Sequence, residues 1–339
     1  MSNRVTLRDV AHEAGVHAST ASRALNPETR SVVNDETVAR VLVAAERLGY
    51  RPHPLARGLR TNQTMSVGMV IPDIENPLFG PIVAGAESVL GGHGYSLLIA
   101  NAEGSDEKTW PVLQALNERR VDGMIIATAS RSDRAVRALR DEGVHIVLVN
   151  RSTEDRVPCI VGDDHAGIGL AVRHLADLGH RRIGHVAGPQ HLSTGVGRHE
   201  AFLAWMNRLD LVVGTEDVEV ADWYQVMPGY EAAARLLSRR PDLTAVVAAN
   251  DLIALGTYRA VRERGGEVGV DVSVTGYNDI PLLDLMQPPM TSVRVPYRQM
   301  GVEAARMLLT IITSGPGSDA VASVELAPTL SVRGSSGPV

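Results

Sequence analysis

The sequence predicts a small all-α head followed by an α/β body made of two doubly wound halves. Three observations carry that prediction. Residues 5–48 repeat apolar side chains at helical spacing, with glycines at the breaks. Residues 51–64 interrupt the pattern with two prolines and a polar run. From residue 65 onward, short apolar runs alternate with amphipathic helical stretches, as parallel sheets wound with helices require.

In the head, Thr6 is placed to cap a first helix, and Asp9 three residues on meets its dipole. Leu7, Val10, Ala11 and Ala14 share one face, and Gly15 stops the helix. Val16 reads as a buried turn residue. A second helix spans 17–25 with Ala21, Ala24 and Leu25 inward. Asn34 caps a third, Asp35 and Glu36 occupy its first turn, Val38, Val41, Leu42, Ala45 and Leu48 face the core, and Gly49 ends it. Three short helices with a glycine turn between the first two describe a helix-turn-helix. A helix that enters a major groove ~12 Å wide needs short polar side chains on its leading face. Ala18, Ser19, Ser22 and Arg23 supply them; Ser19 and Thr20 can bond phosphates or bases, and Arg23 can donate two bonds to one guanine. On the residues alone, a small three-helix domain with a solvated polar face fits as well.

The stretch "RPHPLARGLRTNQT" reads as a linker, with Leu59 an apolar residue between Arg57 and Arg60. In the body, strand-like runs such as "SVGMVIP", "YSLLIAN", "HIVLVN", "RIGHVAG", "AVVAAN" and "VSVTGYN" alternate with helices near 106–120, 165–178, 228–238 and 251–264. Ligands of such sheets bind beyond the carboxyl ends of the strands. Those ends read Asp73, Asn101, Asn150 with Arg151, Gly188, Asp222 with Trp223, Asn250 with Asp251, and Tyr277 with Asn278. Amides, carboxylates and guanidinium pair vicinal hydroxyls, and an indole covers the apolar face of a sugar ring. The same Asn and Asp residues are also good caps for the helices that follow.

Composition excludes several classes. No apolar run reaches the ~18–20 residues that span a bilayer, and residues 1–15 hold charges and no apolar core of a signal peptide, so a cytoplasmic location without a membrane partner is expected. The single cysteine, Cys159, reads as a core thiol in a reducing compartment. Net charge is −6, yet residues 1–62 hold nine arginines against six acids, so the sign is segregated toward a polyanion-binding head. Lys108 is the only lysine. No G-x-G-x-x-G stands between a strand and a helix, which disfavours a dinucleotide enzyme. His165, His174 and His180 lack ligand spacing and read as surface or capping residues. No catalytic set, metal site or cofactor is predicted.

"VTLRDVAHEAGVHASTASRALN" resembles the N-terminal signature of the lac repressor family, V-T-[IL]-x-D-V-A-x-x-A-G-V-S-x-x-T-V-S-R-x-L-N, with His17 in place of serine and Ala21 in place of valine. "TVARVLVAAERLGYRPHPLARGLRTNQT" is similar to the next block of that family, and "DIENPLF", "LVNRS", "GHRRIGHVAGP", "GRHEAF", "AANDLIALG" and "SVTGYND" to its effector-domain motifs. The resemblance implies a helix-turn-helix DNA-binding domain plus a periplasmic-binding-protein-like body of two doubly wound subdomains. It divides the chain into a DNA-binding domain over 1–50, a hinge over 51–64, an N-terminal effector subdomain over 65–160 and 292–318, and a C-terminal one over 162–290 and 320–333.

It further implies that Thr6, His17, Ala18, Ser19, Thr20, Ser22, Arg23 and Asn26 face operator DNA. Arg57 and Leu59 act from the hinge, with the leucine wedged between base steps of the minor groove. Asp73, Phe79, Asn101, Arg151, Arg198, Trp223, Asn250, Asp251 and Asn278 surround a small-molecule effector. The expected partners are a pseudo-palindromic double-stranded operator, a sugar-like effector and a second copy of the chain in a homodimer. Asn150 and Asn278 put amides where the family often has acids, which disfavours a cationic effector. A purine-type corepressor is the alternative, since Trp223 stacks on a base as readily as on a sugar. A solute-binding protein for uptake is disfavoured by the basic head and the missing export signal.

Overall fold

A computed structural model describes residues 5–26, 29–50, 63–102, 106–314 and 323–339. They fall into two units, residues 1–64 and 65–339. The hinge residues Arg57 and Leu59 lie outside the described residues.

The head contains α1 (Leu7–Glu13), α2 (Ala18–Leu25) and α3 (Asp35–Leu48). Thr6 and Asp9 form a reciprocal capping box at the start of α1: the Thr6 N–H donates to Asp9 Oδ2 at 2.7 Å, and the Asp9 N–H to Thr6 Oγ1 at 3.4 Å. Gly15 takes a φ of 64°, and Gly49 one of 65° at the end of α3, both in the left-handed region where glycine carries no steric penalty. Val10, Ala11, Ala14, Ala21, Ala24, Val38, Val41, Ala44 and Ala45 form the core, and the ion pair between Glu13 and Arg47 joins α1 to α3. Leu42 differs from its expected place. It is exposed and Ala44 is buried instead, because the inward stripe of α3 runs through 37, 38, 41, 44 and 45.

The body begins with β1 (Ser66–Ile71), α4 (Phe79–Gly92), β2 (Ser96–Asn101), α5 (Asp106–Glu118), β3 (Gly123–Ile126), α6 (Arg134–Asp141), β4 (Ile146–Val149) and β5 (Cys159–Gly162). It continues with α7 (Asp164–Asp177), β6 (Ile183–Ala187), α8 (Ser193–Arg208), β7 (Val218–Val220), α9 (Val226–Arg239), β8 (Ala245–Ala248), α10 (Asp251–Glu263), β9 (Ser273–Asn278) and β10 (Thr291–Arg294). It closes with α11 (Tyr297–Ser314), β11 (Val324–Leu326) and β12 (Thr329–Ser331).

The first sheet has the order β2-β1-β3-β4-β5-β11, all parallel; the second has the order β7-β6-β8-β9-β10-β12, parallel except for β12. Strands β3, β4, β6, β8 and β9 are buried throughout, as central strands covered on both faces must be. Register levels their carboxyl ends: Ile71 faces Asn101, Val70 faces Ile126, and Val186 faces Ala248. Each sheet reverses its strand order beside its first strand, and loops diverge there to leave a crevice.

Two expected boundaries move. Residues 291–294 were expected to begin the return to the first lobe, but β10 pairs with β9, so the chain crosses after Arg294. The next crossing was expected near 319, yet β11 pairs with β5 and only β12 rejoins the second sheet. A short apolar run specifies a strand without specifying its partner sheet. His180 also departs from its expected surface role. It is buried, with Nδ1 on the Thr244 hydroxyl at 2.9 Å and Nε2 within 3.0 Å of the Gly337 carbonyl, where it holds the C-terminal tail. Cys159 is buried.

Each lobe presses two helices together through paired glycines. A Cβ on Gly85 of α4 would meet the Arg298 carbonyl, and one on Gly301 of α11 the Ile82 carbonyl. Gly229 and Gly256 make the same close approach between α9 and α10. A Gly301→Ala variant is therefore expected to lose about 1–3 kcal/mol through overpacking against rigid backbone. Gly80→Ala, with nothing near the added methyl, should be neutral or gain up to about 1 kcal/mol. Urea unfolding of the two variants checks the contrast.

Candidate functional site

The carboxyl ends of both sheets open on a cavity of about 590 Å³ between the lobes of the body. The first lobe contributes Asp73, Glu75, Asn76, Phe79, Asn101, Lys108, Asn150 and Arg151 to its lining. The second contributes Thr194, Arg198, Trp223, Tyr224, Gln225, Asn250 and Asn278.

On the first lobe the amides organise the loop after β1. Asn101 Oδ1, at the end of β2, accepts the Ile74 N–H at 3.0 Å, and Asp73 Oδ1 accepts the Glu75 N–H at 2.9 Å. Asn150 follows β4 with a φ of 67°, a conformation in which Asn is enriched. Beside it the Ser152 N–H donates to Ser193 Oγ at 2.9 Å, and the Arg131 N–H to the His191 carbonyl at 3.1 Å, so the lobes are bonded to each other at the rim of the cleft.

On the second lobe, Asn250 caps α10 by accepting the Ile253 N–H at 2.8 Å, which leaves its NH2 for a ligand. Asn278 closes β9 with a φ of 119°, an uncommon backbone for a side-chain-bearing residue, and its Oδ1 accepts the Tyr297 hydroxyl at 2.6 Å. The amides at 150 and 278 thus have a backbone reason as well as a charge consequence. Trp223 stands 43% exposed, its ring edge-on to His191 with centroids 5.8 Å apart.

Arg198 is fixed on three sides. Its Nε donates to Asp164 Oδ1 at 2.9 Å, its Nη1 to the Ala249 carbonyl at 2.7 Å, and its guanidinium lies 3.8 Å over the Tyr277 ring centroid. Burial opposes its charge, yet Asp164, with Tyr224 and Tyr277, holds its pKa above the ordinary arginine value. The arrangement is a preformed donor that a hydroxyl or oxyanion meets without reorganisation of the protein.

Asp251 is a correction. The sequence placed it at the effector, but its carboxylate is fully buried and does not line the cavity. Its Oδ1 accepts the Ser292 hydroxyl at 2.5 Å and its Oδ2 the Ile280 N–H at 2.9 Å, which ties α10 to the loop after β9 and to β10. As the first helical residue after the Asn250 cap, it turns into the fold while its neighbour faces the cleft. Lys108, Thr194, Tyr224 and Gln225 were missed. Tyr224 and Gln225 directly follow Trp223 and could have been read with it. Thr194 begins a helix away from any strand end, and no sequence signal marks it. Among the described residues no cluster of three His, Cys, Asp or Glu could hold a metal ion, and no helix is long and apolar enough to cross a membrane.

In the head, His17 caps α2. Its Nδ1 lies 2.8 Å from the Ser19 hydroxyl and accepts the Ser19 N–H at 3.3 Å. Ser19 and Arg23 are exposed on α2, while Ala18, Thr20 and Ser22 are half-buried. Thr6 is engaged with Asp9 in its capping box, and Asn26 forms the C-cap of α2. The exposed donors of this face are short or guanidinium-bearing, the kind that reach base edges in a groove.

Residues 6–53 match the model of the lacI family of bacterial regulatory proteins, and residues 172–336 that of the periplasmic binding protein-like domain. The chain is 32% identical, over 97% of its length and 96% of the relative, to the HTH-type transcriptional repressor PurR of Erwinia tasmaniensis. To the HTH-type transcriptional regulator RegA of Clostridium saccharobutylicum it is 33% identical over 91% of this chain and 92% of that one. Its structure is similar to the lac repressor dimer bound to operator and the anti-inducer ONPF, with a TM-score of 0.85 at 28% identity over 99% of this chain and 100% of that one. It is also similar to the complex of the transcriptional regulator CelR with cellobiose, with a TM-score of 0.75 at 31% identity over 98% and 100%.

The buried Asp251 generates a prediction. Burial pushes its carboxyl up to about 7, against the pull of its bonds from Ser292 and Ile280. Below about pH 4 the group is protonated both folded and unfolded and contributes nothing. Between there and about 7 the folded chain retains a proton that the unfolded chain has released, so stability falls as pH rises. Asp251→Asn, which can still accept from Ile280 and bond Ser292, should flatten that slope in urea unfolding measured across this range.

Proposed function

The chain belongs to the lacI family of bacterial regulatory proteins, and on that premise we propose that it is a repressor whose hold on operator DNA is set by a sugar-like effector in the cleft. It is a sequence-specific DNA-binding transcriptional regulator with an effector-binding body. The observation that carries the effector reading is the cavity between the lobes. Amides of Asn101, Asn250 and Asn278, the anchored Arg198 and the indole of Trp223 offer paired polar groups and one apolar face. That suits a ring bearing several hydroxyls. The role is binding, with no catalytic step.

In this reading the DNA-binding domain spans 1–50 and the hinge 51–64. The effector subdomains comprise 65–162 with 297–326, and 164–294 with 329–339. Two copies of the chain form a dimer that presents two heads to a pseudo-palindromic operator. Ser19, Arg23 and His17 meet the major groove, and the two Leu59 side chains wedge the minor groove at the centre. The effector favours one relative pose of the lobes, that pose sets the spacing of the hinges, and reciprocity makes operator change effector affinity by the same factor.

A purine corepressor is the second reading, favoured by the similarity to PurR proteins and by the half-exposed indole of Trp223. A thermal-shift screen of the full-length protein separates the two. Stabilisation by sugars is expected, and stabilisation by purines alone replaces the first reading with the second. On the DNA side, Arg23→Ala is expected to cost about 1–3 kcal/mol on operator by loss of a guanine contact. Equal losses on operator and random DNA would place Arg23 on phosphate instead. Leu59→Ala should lower operator affinity and straighten the DNA in a bending assay, and undiminished bending rejects the wedge.

A further inference from the structure

The cleft holds more buried positive charge than the carboxylates around it answer. Arg151 and Arg198 both line it, at 7% and 4% exposed. Arg198 has Asp164 at 2.9 Å. Arg151 donates from Nη1 to the Thr128 carbonyl at 3.2 Å, its Nε is buried without a partner, and among the described residues no carboxylate pairs with it. Tyr224 lies beside both arginines but supplies no counter-charge, because burial holds its phenol neutral and its hydroxyl already donates to Thr194 Oγ1 at 3.1 Å. The acids of the lining, Asp73 and Glu75, are half-buried and exposed, where solvent screens them.

We infer that the ligand of this cleft carries an oxyanion, a carboxylate or a phosphate, which seats on Arg151 beside Arg198 while its hydroxyls meet the cleft amides. The inference rests on the sugar-like reading above and narrows it to an acidic or phosphorylated sugar. A planar guanidinium fork matches two oxygens of either group, and such charge-assisted bonds are strong when both partners are withdrawn from water. Burial first, and the Arg198 charge after it, lowers the pKa of Arg151 to about 10, the direction expected of a cation without its counter-ion.

The test uses full-length protein, wild type and Arg151→Met, in calorimetry and thermal unfolding with glucose, gluconate, glucose 6-phosphate and inorganic phosphate. An anionic probe should bind at least about tenfold tighter than glucose, and Arg151→Met should erase that preference. Without ligand, Arg151→Met should unfold at a higher temperature than wild type, because an unanswered buried charge is gone; a merely structural arginine would lower it. Arg151→Gln, which keeps a polar side chain without the charge, should also lose the preference and repeats the test should the methionine variant fail to fold. Gluconate over glucose 6-phosphate identifies a carboxylate, and the reverse order a phosphate. Glucose bound as tightly as both anions overturns the inference and leaves the sugar reading standing. A response to anions that survives Arg151→Met shows adventitious binding and overturns it. So does the absence of any anion response, which, joined to stabilisation by a purine, overturns the sugar reading as well.

Discussion

The effector cleft depends on keeping one guanidinium out of water and in place. Taking the charge of Arg198 into the fold costs several kcal/mol unless something answers it. Asp164, the Ala249 carbonyl and the Tyr277 ring do so together. They come from the start of α7, the end of β8 and the end of β9, so a side chain that lines the cavity also fastens the converging elements of the second lobe. Asp164 is the first helical residue after the chain enters that lobe. The bond therefore links the ligand site to a segment through which the lobes are joined.

Rigid lobes make such a site useful. The close approach of α4 to α11, and of α9 to α10, leaves no room for a methyl group between backbones. Each of these helix pairs is thereby locked backbone to backbone, and the lobes are bonded to each other at the rim, where Ser152 bonds Ser193. In the proposed function, a ligand touching both lobes acts on those rim contacts. It shifts the equilibrium only by the difference in its affinity for the two poses.

Much of this was legible in the sequence because it follows from period and position. The capping box of Thr6 and Asp9, the glycine turns and the alternation of strand and helix each have local causes. The residues at strand ends could be named because parallel sheets place their carboxyl ends on one side. What was not legible depends on partners far along the chain. Residues 291–294 read as a strand from the sequence, but only tertiary pairing decides which sheet receives them, and the short strand at 324–326 was not foreseen. Leu42 and Ala44 are separated by about half a helical turn, and a small core selected the alanine. Asp251 could not be told from Asn250 by type, since both are good strand-end residues; the helix that starts between them sends one side chain to the cavity and the other inside. Thr194 carries no local mark at all.

The chain passes between the lobes after β5, after β10 and again after β11. The two half-sites are consequently not beads on a string that must find each other. Each is held within reach of its counterpart at all times, so a molecule captured by one meets the other at a high effective concentration and with little further loss of freedom.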